Sequence, residues 1–161
     1  MLRSKAGYDK RRHYFTTRLV YQATSTRCVM ASSAKIQVSW IVLPAVPSAV
    51  WFCRRFVIDT LHRWDMLGLV DAVQLVAAEL VLNAVRASTA AGTDVTVCLW
   101  AERGSLFVEV GDYMEELPTL RRPTPEDGRG LGLSVVSSMS KRWGIRQEGS
   151  GKVVWSELSY A

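Results

Sequence analysis

The segment Val70-Asp-Ala-Val-Gln-Leu-Val-Ala-Ala-Glu-Leu-Val-Leu-Asn-Ala-Val-Arg-Ala-Ser-Thr89 predicts a long helix that is apolar on most sides. A helix of this kind is usually buried, so we expect it to lie within the core. Three polar residues interrupt it. At about 100° per residue, Glu79, Asn83 and Arg86 fall within one arc of about 60°. Asn83 is the only asparagine of the chain, and asparagine is a poor residue for a helix interior because its side chain competes for backbone groups.

This polar strip supports two interpretations. One is a surface stripe in which Glu79 and Arg86 form an ion pair. The other is a site in which the amide oxygen of Asn83 holds a hard cation while Glu79 acts as a base. Polar groups must be paired or hydrated when they are buried, and oxygen ligands suit magnesium, which usually bridges to phosphate. Spacing alone leaves both interpretations open.

The residues around this helix predict an α+β fold. Strands and helices are mixed along the chain but do not alternate in regular βαβ units. This order favours a mixed, largely antiparallel sheet with helices on one face. The predicted strands are Lys35–Leu43, Val95–Trp100, Ser105–Val110, Trp143–Gln147 and Lys152–Leu158; a helix begins near Pro47 and ends by Gly68, and a short one covers Gly130–Arg142. Residues 111–129 form a long polar loop, and a loop of that length in a compact domain often has a function.

Two features near this loop could carry chemistry. Asp112 follows an apolar strand; aspartate at a strand end is often only a turn former, but it could instead accept a hydrogen bond from the exocyclic amine of a ligand. The loop ends in Gly128-Arg129-Gly130-Leu131-Gly132, which opens a helix. Such glycines are either a flexible loop end or a phosphate cradle, because they allow backbone N–H groups to approach a ligand and a helix N-terminus favours anions.

Length and charge divide the chain into two parts. Its 161 residues fit one domain, and its formal net charge is +5. Residues 1–35 hold eight of the 20 Lys and Arg residues but only one acid, Asp9, whereas the other 126 residues hold 12 basic and 14 acidic residues. We therefore expect a basic N-terminal arm over residues 1–35 and a mildly acidic domain over residues 36–161. Because the domain itself is mildly acidic, this division argues against nucleic acid as its ligand. The charge run of the arm is of a kind that is usually just solvated.

The cysteines, histidines and apolar stretches of the sequence disfavour zinc-binding and membrane proteins. The three cysteines are far apart, no CxxC or Cys/His cluster occurs, and the only histidines are His13 and His62, which disfavours a zinc site and favours a reducing cytoplasm. We expect each cysteine to be a small buried apolar residue. The apolar stretches look short or interrupted compared with the ~20 residues of a bilayer span, so we expect no membrane association.

The order of these features resembles the GHKL family of ATP-binding domains, and more closely its bacterial anti-sigma-factor serine/threonine kinase branch, over about Trp40 to Leu158. The matching segments are Leu43-Pro44-Ala45, Arg54-Arg55-Phe56, Ala78-Glu79-Leu80-Val81-Leu82-Asn83-Ala84-Val85-Arg86, Val108-Glu109-Val110-Gly111-Asp112, Gly128-Arg129-Gly130-Leu131-Gly132-Leu133, Arg142-Trp143-Gly144 and Gly151-Lys152-Val153-Val154-Trp155. The resemblance implies a two-layer α/β sandwich of the Bergerat type.

The resemblance also implies roles for matching residues. Asn83 would coordinate the Mg²⁺ that bridges the ATP phosphates, Glu79 would activate the attacking hydroxyl, and Asp112 would receive the adenine amino group. The segment 128–132 would bind the phosphates, with residues 113–129 as the lid. The implied partners are a sigma factor and an anti-anti-sigma-type protein that carries the accepting serine or threonine. Members of this branch are often dimers, which makes a homodimer a further expectation.

Some positions depart from the family pattern. Met114 stands where the family commonly has a glycine after the adenine-binding aspartate, and Val153 stands where it commonly has a threonine near adenine. Valine has no hydroxyl to orient the aspartate or a water molecule. Two alternatives to a kinase therefore stay open at this point: a regulator that binds nucleotide or a protein partner without transferring phosphate, and a nucleic-acid binder that uses the basic arm.

Overall fold

The computed structural model describes residues 36–112 and 131–160. The glycine-rich segment is therefore described only from Leu131 onward; the lid and the arm lie outside this part of the chain. Within it, the strands are β1 (Gln37–Pro44), β2 (Asp94–Glu102), β3 (Ser105–Asp112), β4 (Arg142–Glu148) and β5 (Gly151–Ser159). The α-helices are α1 (Ala49–Arg63), α2 (Val70–Ser88) and α3 (Leu131–Met139), with short 3-10 turns at Leu67–Leu69 and Thr89–Ala91.

The described strands form one sheet in the order β1-β2-β3-β5-β4. All four pairings between them are antiparallel, so the predicted α+β class and the largely antiparallel sheet are confirmed. A mixed sheet would also hold a parallel pairing, and the described strands contain none. The last strand lies beside β3 instead of at the edge, and this placement brings residues 105–112 opposite residues 152–159.

The core lies between the sheet and the helices. Alternate residues of β2 and β3 face it, as the two-residue repeat of a strand requires. The same core contains the apolar positions of α2, and most of that helix is buried as predicted. The core residues of these three elements include Val95, Val97, Leu99, Leu106, Val108, Val110, Val73, Val76, Ala77, Leu80 and Val81. The described helices thus cover one face of the sheet.

The central helix corrects one expectation. With its preceding turn, Leu67–Ser88 is long and apolar enough by length and composition to cross a membrane. The core helix of a soluble protein passes the same test. In this fold its apolar residues pack against the sheet and against α1. The sheet and α1 therefore provide the apolar surroundings of this helix.

Two predicted boundaries were wrong. Gly111 and Asp112 belong to β3 and not to the loop, because they pair with Val153 and Lys152 of β5. The last helix ends at Met139 and not at Arg142. The backbone N–H of Lys141 donates to the carbonyl of Glu157 at 2.8 Å, which starts the pairing of β4 with β5 and places Arg142 in the sheet.

Candidate functional site

The polar strip of α2 lies at the edge of the core. Glu79 and Asn83 are half-buried, whereas Arg86 is exposed. Within the part of the chain that the structure describes, Glu79 and Arg86 form no ion pair with each other. The interpretation as a simple ion-paired surface stripe is therefore wrong. Glu79 and Asn83 lie one helical turn apart, so their side chains occupy neighbouring positions on one face of α2.

The beginning of α3 packs directly against this strip. A β-carbon placed on Gly132 would lie 2.5 Å from Oε2 of Glu79 and 3.5 Å from Nδ2 of Asn83. The first of these distances is shorter than real Cβ contacts, so a side chain here would displace the Glu79 carboxylate. The structure thus joins three of the predicted site residues: Glu79, Asn83 and Gly132. Leu131 is the first residue of α3, and Gly128, Arg129 and Gly130 lie outside the described residues.

Asp112 lies at the end of β3, on the face of the sheet that the helices cover. It alternates with Leu106, Val108 and Val110, which face the core, and it is buried. It is the last residue of β3 and pairs with Lys152 in the sheet. Nζ of Lys152 donates a hydrogen bond of 2.8 Å to Oδ1 of Asp112. The side chains are only 4% and 2% exposed.

The contact between Lys152 and Asp112 was not predicted from the sequence. The family pattern places Val153 at the position near adenine, but neighbouring residues of a strand point to opposite faces. Val153 pairs with Gly111, and its Cγ2 would lie 3.5 Å from a β-carbon at that glycine. The side chain that faces Asp112 is therefore Lys152. The only signal for this in the sequence was the period of two along β3 and β5.

Another acidic residue of the same strand, Glu109, lies on the opposite face of the sheet. Its carboxylate accepts hydrogen bonds from Nη2 of Arg146 at 2.6 Å and from Nε1 of Trp100 at 3.0 Å, and the Trp100 ring stacks on Phe107. Burial alone would lower the pKa of Arg146, but the carboxylates of Glu109 and Glu148 raise it. This network stabilises the sheet away from the strip on α2.

The arrangement around α2 fits a nucleotide phosphate group with magnesium. Gly132 approaches Glu79 and Asn83 so closely that residue 132 has no room for a side chain. In the described residues there is no group of three His, Cys, Asp or Glu side chains that could hold a metal. Magnesium does not require one, because it usually keeps several waters and takes one or two protein ligands together with substrate phosphates. The residues present match that donor set.

Fold and site together define an ATPase-like nucleotide-binding domain. A model of the histidine kinase-like ATPase domain matches residues 44–157, which is more than half of the chain. The chain belongs to the family of histidine kinase-like ATPase domains, and the resemblance to GHKL proteins is thereby confirmed. The match spans the strip on α2, Asp112, the glycine-rich segment and Lys152.

One solved structure illustrates the likeness of fold. The crystal structure of the RsbU and RsbW domains of Rv1364c from Mycobacterium tuberculosis is similar to this chain with a TM-score of 0.54 and 18% sequence identity. The similarity covers 76% of this chain and 32% of that chain, so this protein spans well under two thirds of its length. A search of curated protein sequences finds no match.

Proposed function

We propose that the protein is an ATP-binding regulator that transfers phosphate, with magnesium, to a serine or threonine of an anti-anti-sigma-type protein, and that it binds a sigma factor in the cytoplasm. The observation that carries this proposal is the contact of Gly132 with Glu79 and Asn83. It unites a carboxylate, a side-chain amide and the first turn of a helix, which are the groups that an ATP phosphate chain, its metal and an attacking hydroxyl require.

Each residue has a distinct task in this proposal. Asn83 would hold magnesium through its side-chain oxygen, and magnesium, when bound, neutralises charge on the phosphate oxygens. The Glu79 carboxylate accepts the proton of the attacking hydroxyl. The backbone N–H groups at the start of α3 bind phosphate oxygens, since these groups have no partner within the helix. Asp112 accepts a hydrogen bond from the adenine amine.

The surface of α1 supports the idea of a protein partner. Trp51 and Phe52 are neighbours with an edge-to-face contact and a centroid distance of 5.0 Å. Their side chains are 63% and 47% exposed. Neighbouring large apolar side chains on a surface are typical of interaction sites. A homodimer is part of the same proposal.

The test compares ATP binding and phosphate transfer in matched variants of the full chain. Calorimetry with and without magnesium measures ATP binding, and γ-labelled ATP with a purified anti-anti-sigma-type protein measures transfer. Glu79→Gln keeps the shape of the side chain but not its basicity. We expect it to bind ATP and to lose transfer by about 10²-fold or more, the usual contribution of a general base.

The control is Asp71→Asn, an exposed position on the same helix, which should leave both quantities unchanged. Unchanged transfer in Glu79→Gln would contradict the catalytic role. ATP binding without any transfer by the wild-type chain would favour a regulator that binds nucleotide only. Absence of ATP binding at millimolar concentration would overturn the proposal as a whole.

A further inference from the structure

One face of the sheet carries no layer of described helices. The helices pack on the face that holds Val108, and the opposite face, which we call the open face, consists of the alternate residues of each strand. Strand register aligns four of these residues across its middle: Trp40, Cys98, Glu109 and Trp155. The open face is therefore separate from the polar strip of α2, which lies on the helical side of the sheet.

Exposed apolar side chains of the open face are concentrated on β1. Trp40 and Val42 are 37% and 46% exposed, whereas Phe107 and Cys98, farther into the sheet, are almost fully buried. Among the described strands, β1 is at one end of the sheet and pairs with β2 alone. Neighbouring large apolar side chains on a surface are typical of interaction sites, so Trp40 and Val42 form a candidate docking patch.

The N-terminal arm, residues 1–35, is attached beside this patch. β1 begins at Gln37, so the arm ends five positions before Trp40. Fully extended, a segment of that length spans roughly 120 Å, whereas five strands spaced about 4.8 Å apart form a sheet only about 20 Å wide. The arm is therefore long enough to return onto the open face, and its attachment makes such binding intramolecular, at a high effective concentration.

Residues 14–21 of the arm contain the apolar side chains that could cover such a patch. They hold a single charged residue, Arg18, and their larger apolar and aromatic residues are Tyr14, Phe15, Leu19, Val20 and Tyr21. The arm as a whole is strongly basic, with eight Lys and Arg residues against one acid. A surface that accepts this segment should therefore be apolar without being cationic, because like charges oppose association.

Charge distinguishes the open face from the other aromatic patch, Trp51 and Phe52 of α1. The exposed side of α1 holds three arginines against one acid, and these residues are Arg54, Arg55, Arg63 and Asp59. The open face is slightly acidic instead. Its strands contribute five acids and two arginines, and two further cations at strand ends, Arg103 and Lys141, pair with two of those acids. The five acids are Asp94, Glu102, Glu109, Glu148 and Glu157, and the arginines are Arg142 and Arg146. A basic segment is thus repelled by α1 and not by the open face.

We propose that residues 14–21 of this chain pack on the open face over Trp40 and Val42, so that the arm covers the side of the sheet opposite the helices. The arm then removes the exposed apolar side chains of β1 from water. The polar strip of α2 stays accessible, because it lies on the helical side. This docking requires neither ATP nor phosphate transfer, so the docking and the proposed function can fail separately.

Nuclear magnetic resonance of the full chain with a spin label on the arm tests this contact. The variant Thr17→Cys/Cys28→Ser places a thiol within residues 14–21, while Cys53 and Cys98 are buried. Peptide mapping verifies that only residue 17 carries the nitroxide, which broadens the amide signals of residues close to it. We expect the amide of Trp155, which is distant from the arm in sequence, to lose most of its intensity, whereas the amides of α1 keep theirs. Reduction of the nitroxide supplies the reference spectrum.

Matched variants of the labelled chain show which patch holds the arm. Trp40→Thr/Val42→Thr removes the apolar side chains but keeps residues that favour strands, and the broadening at Trp155 should disappear. Trp51→Gln/Phe52→Gln removes the exposed aromatic pair of α1, and as the control it should leave the broadening unchanged. Circular dichroism establishes that each variant is folded.

Every other result overturns the proposal. Equal broadening of the sheet and of α1, or none at Trp155, would show that the arm does not select the open face, and this comparison does not depend on the folding of any patch variant. Persistent broadening in folded Trp40→Thr/Val42→Thr would mean that other residues hold the arm. A mixture of the spin-labelled chain with an isotope-labelled chain that carries no nitroxide is the last test. Broadening in the second chain would show that the arm docks on another copy and not on its own sheet.

Discussion

Gly132 lies so close to Glu79 that a β-carbon on the glycine would be 2.5 Å from Oε2 of the carboxylate. These residues are far apart in the sequence. Glu79 belongs to the predicted polar strip of α2, and Gly132 belongs to the predicted glycine-rich segment. Their contact makes α2 and the start of α3 a single site. It also makes the position of the Glu79 carboxylate depend on the absence of a side chain at residue 132.

The first prediction concerns Gly132→Ala. Alanine raises helix propensity by about 1 kcal/mol over glycine, and the atom that it would displace is the end of a flexible side chain, so we expect the stability of the protein to be preserved. Phosphate transfer should nevertheless fall by about 10²-fold, as a 1 Å misplacement of a reacting group can cause. Thermal unfolding and transfer of labelled phosphate measure the two effects.

The control for this variant is Gly68→Ala, since a β-carbon at Gly68 would have no atom within 4 Å. It should leave transfer unchanged. If Gly132→Ala retains full transfer, the Glu79 carboxylate does not need its observed position, and its role as base is contradicted.

A second prediction concerns the stability of the Asp112–Lys152 pair. Asp112→Ala removes the carboxylate that lies 2.8 Å from the buried ammonium of Lys152 and should lower the free energy of unfolding by about 3–5 kcal/mol. The double variant Asp112→Leu/Lys152→Met replaces both charges with apolar groups and should recover most of this loss. Urea unfolding measures both. If the losses of Asp112→Leu and Lys152→Met, each measured alone, simply add up in the double variant, the charges do not interact.

The third prediction is the acid sensitivity of a different buried carboxylate, Glu157. Burial alone would raise the pKa of Glu157, but hydrogen bonds from Ser105 and Arg142, and the charges of Arg142 and Lys141, lower it below its ordinary value of 4.5. The folded state therefore holds this proton less tightly than the unfolded state. The resulting stabilisation is fully present above pH 4.5 and is lost as the pH falls through the lower folded value.

Glu157→Gln should accordingly be less stable than the wild type at pH 7, and its free energy of unfolding should fall less between pH 7 and pH 3. Urea unfolding over that pH range measures the difference. Asp59→Asn removes an exposed ion pair with Arg55 and serves as control, because surface pairs contribute about 0–1 kcal/mol. Parallel pH profiles for wild type and Glu157→Gln would contradict the assignment.

A fourth prediction is that Cys53 and Cys98 are inert in the folded protein. Burial raises the pKa of the Cys53 thiol to about 12, with a small opposing effect of Arg54. Burial, and next the charge of Glu109, raise the pKa of Cys98 as well. Because the thiolate is the reactive form, iodoacetamide at pH 8 should modify neither residue until urea unfolds the protein. Peptide mapping by mass spectrometry distinguishes them from Cys28, and rapid labelling of Cys98 under native conditions would contradict its burial.

Local pattern was sufficient for most of the fold. The apolar helix over residues 70–89, the two strands after it and the closing pair of strands follow from hydrophobic periodicity and from turn residues, and the structure has them within a few residues. The predicted ends of β3 at Val110 and of α3 at Arg142 were wrong, because pairing with β5 determines both boundaries. That partner strand is distant in sequence, so no local pattern contains the information.

The sequence by itself determined which chemical groups the site contains: a carboxylate and an amide one turn apart on α2, an aspartate at the end of β3, and glycines at the start of α3. Only the tertiary structure decided which of them meet. Gly132 reaches Glu79 because α3 packs against α2. Lys152, and not Val153, faces Asp112 because strand register assigns neighbouring residues to opposite faces of the sheet. Register is a property of two paired strands, and neither strand specifies it alone.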